Sequence, residues 1–175
     1  MIILALQSAL GITEIALLRG NEILAERAWE AQRDELVKIL PMMEELLAGV
    51  GAPSGVSPDS CLGLKSGASD GDGGNSPFGR VGSSPFGRVG RILVVNGPGG
   101  FSSTRIGVTL ANSLGYALKA EIFAMTMHQY ETLAGASFGE KVRTFFEQNP
   151  EKVEQVLPLY NSAVKITASK KPKFT

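Results

Sequence analysis

Two side chains that build most metal and nucleophile sites are nearly missing from this sequence, which holds one cysteine (Cys61) and one histidine (His128). A lone cysteine forms no intrachain disulfide, and the ligand sets of zinc, haem and iron–sulfur centres cannot be assembled from these two residues. Charge of one sign is also missing: 17 basic residues balance 17 acidic ones. A strongly electrostatic nucleic-acid or membrane binder is therefore not expected. No apolar run approaches the roughly 18 residues of a membrane span, and the apolar start Met1–Leu6 has no basic flank ahead of it. The expectation is a cytoplasmic protein with no membrane association.

Glycine is abundant instead, and unevenly placed. Of the 21 glycines, 11 fall between Gly51 and Gly90, together with Pro53, Pro58, Pro77 and Pro85. Such a stretch buries too little apolar surface to offset the ordering of so many glycines. It reads as a flexible insert, residues 51–90, in an α/β domain spanning residues 1–134. Residues 135–175 read as a short helical segment and a basic tail (Lys165, Lys170, Lys171, Lys173). The insert contains a direct repeat: Ser76–Gly82 and Ser84–Gly90 both read SPFGRVG. Two units are too few for a solenoid. The pair reads as a local duplication, with partner binding through Phe78, Arg80, Phe86 and Arg88 as the functional alternative.

Hydrophobic patterning predicts the elements. Ile2–Leu6 is apolar at every position, as a strand buried on both faces would be. Ile12–Leu18 and Glu22–Trp29 flank Gly20-Asn21 and form a hairpin, although Glu22–Ala31 also has helix propensity. Asp34–Ala48 is helical, with Leu36, Ile39, Leu40, Met43 and Leu47 at helical spacing. Val37, Met42 and Leu46 widen its apolar surface beyond what a sheet needs, which points to a second helix or a partner protein. Pro41 predicts a kink and Gly49 a stop. Ile92–Val95 is a strand leading into a helix that begins at Ser102 or Ser103 and runs to Leu118. That helix carries a line of small residues, Gly107, Ala111 and Gly115, suited to close approach by another backbone. Glu121–Met125 is a strand. Met127–Ala134, Glu140–Phe146 and Glu151–Val156 are helical. The order gives an α/β fold with a mixed sheet and right-handed crossovers.

The strand-to-helix loop Gly97, Pro98, Gly99, Gly100, Phe101, Ser102 is the main candidate site. It points backbone N–H groups from a helix start, a generic anion site, or simply makes a tight turn capped by Ser102 or Ser103. It is neither a Walker A loop nor a dinucleotide fingerprint. Arg105, in the first helical turn, opposes the helix dipole. It should face a ligand or partner, or pair with an acid such as Glu14 or Asp34. At the end of the first strand, Gln7 and Ser8 supply no carboxylate for a metal ion, so no metal or cofactor is expected. His128 reads as a core or capping residue. Cys61 has no activating neighbour in sequence.

Three stretches together resemble the bacterial TsaB family, also called YeaZ. Met1–Leu18 (MIILALQSALGITEIALL) is similar to the family's opening hairpin. Gly97–Gly107 (GPGGFSSTRIG) is similar to its Gly-Pro-Gly-Ser-Phe-Thr-Gly-x-Arg-Ile-Gly, with departures at Gly100, Ser102 and Ser103. Leu157–Tyr160 (LPLY) is similar to its C-terminal Pro-x-Tyr segment, and Leu40-Pro41 matches a Leu-Pro of its first helix. The resemblance implies a ribonuclease-H-like core of the actin/sugar-kinase/Hsp70-like superfamily. It also implies a non-catalytic role in making N6-threonylcarbamoyladenosine at tRNA position 37, beside a TsaD-like transferase and a TsaE-like ATPase, with tRNA contacted indirectly. The interface it implies comprises Glu35, Ile39, Met42, Met43 and Leu46 on the first helix and Arg105, Thr109, Asn112 and Ser113 on the second. A homodimer through the same faces is the self-association counterpart. The family's second domain has little counterpart here. The rival readings are a small phosphotransferase using the Gly97–Ser103 loop and a decayed paralogue.

Overall fold

The structure is a computed structural model that describes residues 1–30, 35–50 and 85–160, without the side chains of Glu35 and Leu36. Most of the glycine-rich insert, the first SPFGRVG copy, Cys61, Asp34 and the lysine tail lie outside these residues. Five strands form one sheet in the order β3-β2-β1-β4-β5. They are β1 (Ile2–Gln7), β2 (Ile12–Arg19), β3 (Glu22–Glu30), β4 (Val89–Val95) and β5 (Glu121–Met125). β1 pairs antiparallel with β2 and parallel with β4; β2–β3 is antiparallel and β4–β5 parallel. This is the expected mixed sheet. Glu22–Glu30 is a strand because Gly20, at φ +60°, turns the chain back on β2 and commits its backbone groups to a ladder.

β1 is buried on both faces, which explains its unbroken apolar sequence. Ile2, Leu4 and Leu6 join a cluster with helices α1 (Glu35–Gly49) and α2 (Phe101–Leu118). Ile3 and Ala5 join another with α3 (Met127–Thr132) and α4 (Phe138–Glu147). α3 starts where it does because Thr126 and Gln129 form a reciprocal capping box. α2 begins at Phe101, after an N-cap Gly100 that offers no side chain, so neither Ser102 nor Ser103 caps it.

Four expectations are corrected. The insert ends sooner than residue 90: Pro85–Arg88 forms a 3-10 turn, Phe86 is buried in the α1 cluster, and β4 starts at Val89. The wide apolar surface of α1 is taken up inside the chain only in part: Leu46 is buried and Met42 half-buried, while Val37 and Leu40 are exposed. Ile39, Met43 and Leu46 are buried because the sheet covers one side of the helix and the Phe86 turn touches it as well. The small-residue line of α2 faces this chain's own sheet. A Cβ on Gly107 would lie 2.5 Å from Ser8 Oγ, and one on Gly115 would lie 2.4 Å from Ile122 Cδ1. Finally, residues 151–156 are not helical but extended. Val153 N–H donates to the Ile122 carbonyl at 2.8 Å, and Asn112 holds Val156 at both its N–H and its carbonyl. At the segment's end Pro158 biases Leu157 away from the helical region.

Candidate functional site

Because β1, β4 and β5 run parallel, their carboxyl ends gather Gln7, Asn96 and Thr126 at one edge of the sheet, where open α/β folds place ligands. Gln7 is fully buried on the α3 side. Its Oε1 accepts from Ala9 N–H at 2.8 Å, and its Nε2 has no partner. Beside it, Tyr130 Oη donates to Glu14 Oε2 at 2.6 Å. Burial, and then the Glu14 carboxylate, push the Tyr130 phenol well above its ordinary range. A shallow cleft of about 230 Å³ opens next to this pair, lined by Glu14, Glu26, Arg27, Ala28, Ser137 and Phe138. Asn96, on the opposite face, donates through Nδ2 to the Leu157 carbonyl at 3.1 Å, and its own carbonyl accepts from Leu159 N–H at 2.7 Å.

The ends of β1 and β4 thus carry neutral amides, whose oxygens bring none of the charge that a divalent cation draws from carboxylates. Among the described residues no three of His, Cys, Asp and Glu gather.

The Gly97–Ser103 loop is closed by the chain itself. Gly97 takes φ +102°, a region that favours glycine, and accepts from Met127 N–H at 2.7 Å. Gly100 N–H donates to the Ala9 carbonyl at 2.9 Å. A Cβ on Gly99 would lie 2.3 Å from that same carbonyl oxygen. The β1–β2 turn therefore packs onto the glycines, in the space a phosphate would need in order to meet them. Ser8 Oγ adds a bond to the Ser103 carbonyl at 2.8 Å. In the loop the β1–β2 turn engages Gly100 N–H and packs on Gly99, as a tight turn would.

Arg105 makes its contacts with Tyr160 and Phe101 rather than with Glu14, and Asp34 lies outside the described residues. Its Nε donates to Tyr160 Oη at 2.8 Å, and its guanidinium stacks 3.8 Å from the Phe101 ring centroid. Phe101 and Tyr160 lie 5.0 Å apart between centroids. All three are exposed, with Leu157 and Leu159 exposed nearby in sequence. The sequence signals for this cluster were Arg105 in a helix's first turn and the LPLY segment; their meeting was not legible. His128 is exposed on α3, neither core nor capping.

Of the interface residues implied by the resemblance, Arg105, Thr109 and Ser113 line one exposed side of α2 at four-residue spacing, and Met42 on α1 is half-buried. Asn112 is engaged by Val156. Ile39, Met43 and Leu46 are inside the core. No helix among the described residues is long and apolar enough to cross a membrane.

By sequence, no protein family matches the chain and no curated protein matches it. Solved structures do. A protein described as uncharacterized, with similarity to peptidase YeaZ from Pseudomonas aeruginosa, matches at a TM-score of 0.51 and 18% identity, over 97% of this chain and 72% of that one. YeaZ from Pseudomonas aeruginosa matches at 0.47 and 20% identity, over 72% of this chain, which spans 45% of its length. Thermus thermophilus RuvC with a Holliday junction matches at 0.46 and 6% identity. The first of these likenesses, together with the strand order β3-β2-β1-β4-β5, assigns the fold: a ribonuclease-H-like α/β domain of the kind seen in YeaZ-like structures.

Proposed function

We propose that this chain is a non-catalytic TsaB-type partner in tRNA threonylcarbamoylation, acting by docking a TsaD-like transferase. The observation that carries the reading is the closed strand edge. Gln7 and Asn96 are amides, and Ala9 covers the glycines at the start of α2. The edge where a catalytic relative of this fold would hold substrate is built for packing. The pathway itself rests on the likeness of Gly97–Gly107 to the family's strand-to-helix motif.

The docking surface in this reading is the exposed side of α2, Arg105, Thr109 and Ser113, with the half-buried Met42 of α1. Its smaller extent, with Ile39, Met43 and Leu46 turned inward, fits a regulated complex better than a permanent one. A TsaE-like ATPase and tRNA would then join through the transferase. Calorimetry with the transferase from the same genome tests the reading. Binding at about 10 µM or tighter, weakened at least about tenfold by Thr109→Arg with Ser113→Arg, is the expected result. No heat and no co-elution at that concentration overturns it.

A further inference from the structure

The second SPFGRVG copy is a structural part, and the first copy is identical to it. In Ser84–Gly90, Pro85–Arg88 forms the 3-10 turn and Phe86 is buried at 8% exposure in the cluster with α1. Arg88 Nη2 reaches the Leu47 carbonyl near the end of α1 at 3.5 Å, and Val89 opens β4 opposite Ile2. Every side chain that fills this seat recurs eight positions earlier as Pro77, Phe78, Arg80 and Val81.

The ladder breaks where the repeat ends. Ile2 pairs with Val89 but Ile3 with Arg91, which leaves Gly90 as an extra residue. A bulge of this kind is where a strand tolerates added chain. We propose that the seat beside α1 accepts either copy, so that β4 has two frames. In the frame seen here Phe86 and Val89 are seated and Gly90 bulges. In the other, Phe78 and Val81 take their places and residues 82–90 leave the sheet at the same point before Arg91. Seat contacts are the same in both frames, since the side chains are the same. The connector from α1 shortens from residues 51–84 to residues 51–76, and closure entropy changes little with such a difference. The frames differ chiefly by the nine-residue loop that the second one must close. The second frame is therefore the minor one, roughly 0.1–10% of molecules. Loss of the seated phenylalanine would make it the major one.

Urea denaturation and tryptic mapping of the full chain test this. Phe78→Ala alone should leave the midpoint unchanged. Phe86→Ala should lower it less than the same substitution does in a chain lacking residues 76–83, which has one copy only. Phe78→Ala added to Phe86→Ala should then lower the midpoint further. In Phe86→Ala, trypsin should spare the bond after Arg80 and cut after Arg88, the reverse of the unsubstituted chain. A full-length Phe86→Ala chain as unstable as its single-copy counterpart, or one in which Phe78→Ala is silent and the cleavage sites are unmoved, overturns the proposal.

Discussion

Gly99 shows how much a single residue settles here. Adding a methyl group would drive it into the Ala9 carbonyl at 2.3 Å and the Ala9 Cβ at 2.5 Å, neither of which is the free end of a flexible side chain. Gly99→Ala should destabilise the fold by about 1–3 kcal/mol, the usual cost of overpacking, measured as a shift in urea midpoint at unchanged slope. Tyr130 makes a prediction in pH. Its phenol is held neutral by burial and by the Glu14 carboxylate, so its folded value lies above the unfolded one near 10. The stability this supplies is complete below about pH 10 and is lost as pH rises toward the folded value. Unfolding followed between about pH 9 and about pH 11 should show stability falling in the natural chain and a flatter profile in Tyr130→Phe. Neither effect could be foreseen from residue type. A glycine in a loop and a tyrosine in a short helix acquire their roles from what the fold sets against them.

At the scale of elements, the extended segment after α4 works as a strap. Val153 pairs with β5, Val156 is buried and held twice by Asn112, and Leu157 and Leu159 are bound at Asn96. Lys152, and then Arg91, hold the Glu121 carboxyl below its usual range at the start of the strap. Asn112→Ala removes both bonds to Val156 and leaves the carbonyl and N–H of a buried residue without that partner. A loss of about 1–3 kcal/mol is expected, with faster proteolysis between residues 150 and 160 as the local readout. At the far end of α2, Lys119 adopts φ +53° as the C-cap. Lys119→Gly relieves that left-handed conformation and should raise stability by up to about 1 kcal/mol in thermal unfolding. Strand β5 has the bounds read from the sequence, Glu121–Met125, because Ile122, Phe123, Ala124 and Met125 form a short apolar run. The strap was misread as a helix because its pairing partners, Ile122 and Asn112, are distant in sequence, and local propensity carries no record of them.

Over the whole molecule, both faces of the sheet are covered, α1 and α2 on one and α3 and α4 on the other. The order of elements and the mixed sheet followed from the sequence, because alternation, continuous apolar runs and turn residues are local signals. So did the place of the Gly97–Ser103 loop, since a glycine-rich link between a strand and a helix must sit at a strand's carboxyl end. The direction in which apolar helix faces point was a matter for tertiary structure. The small-residue line of α2 and Leu46 of α1 have the composition of a protein interface, yet the sheet and the Phe86 cluster use them within the chain, while Val37 and Leu40 of α1 stay exposed. Periodicity tells how wide a buried face is but not what buries it, because that partner is chosen by contacts between residues far apart along the backbone.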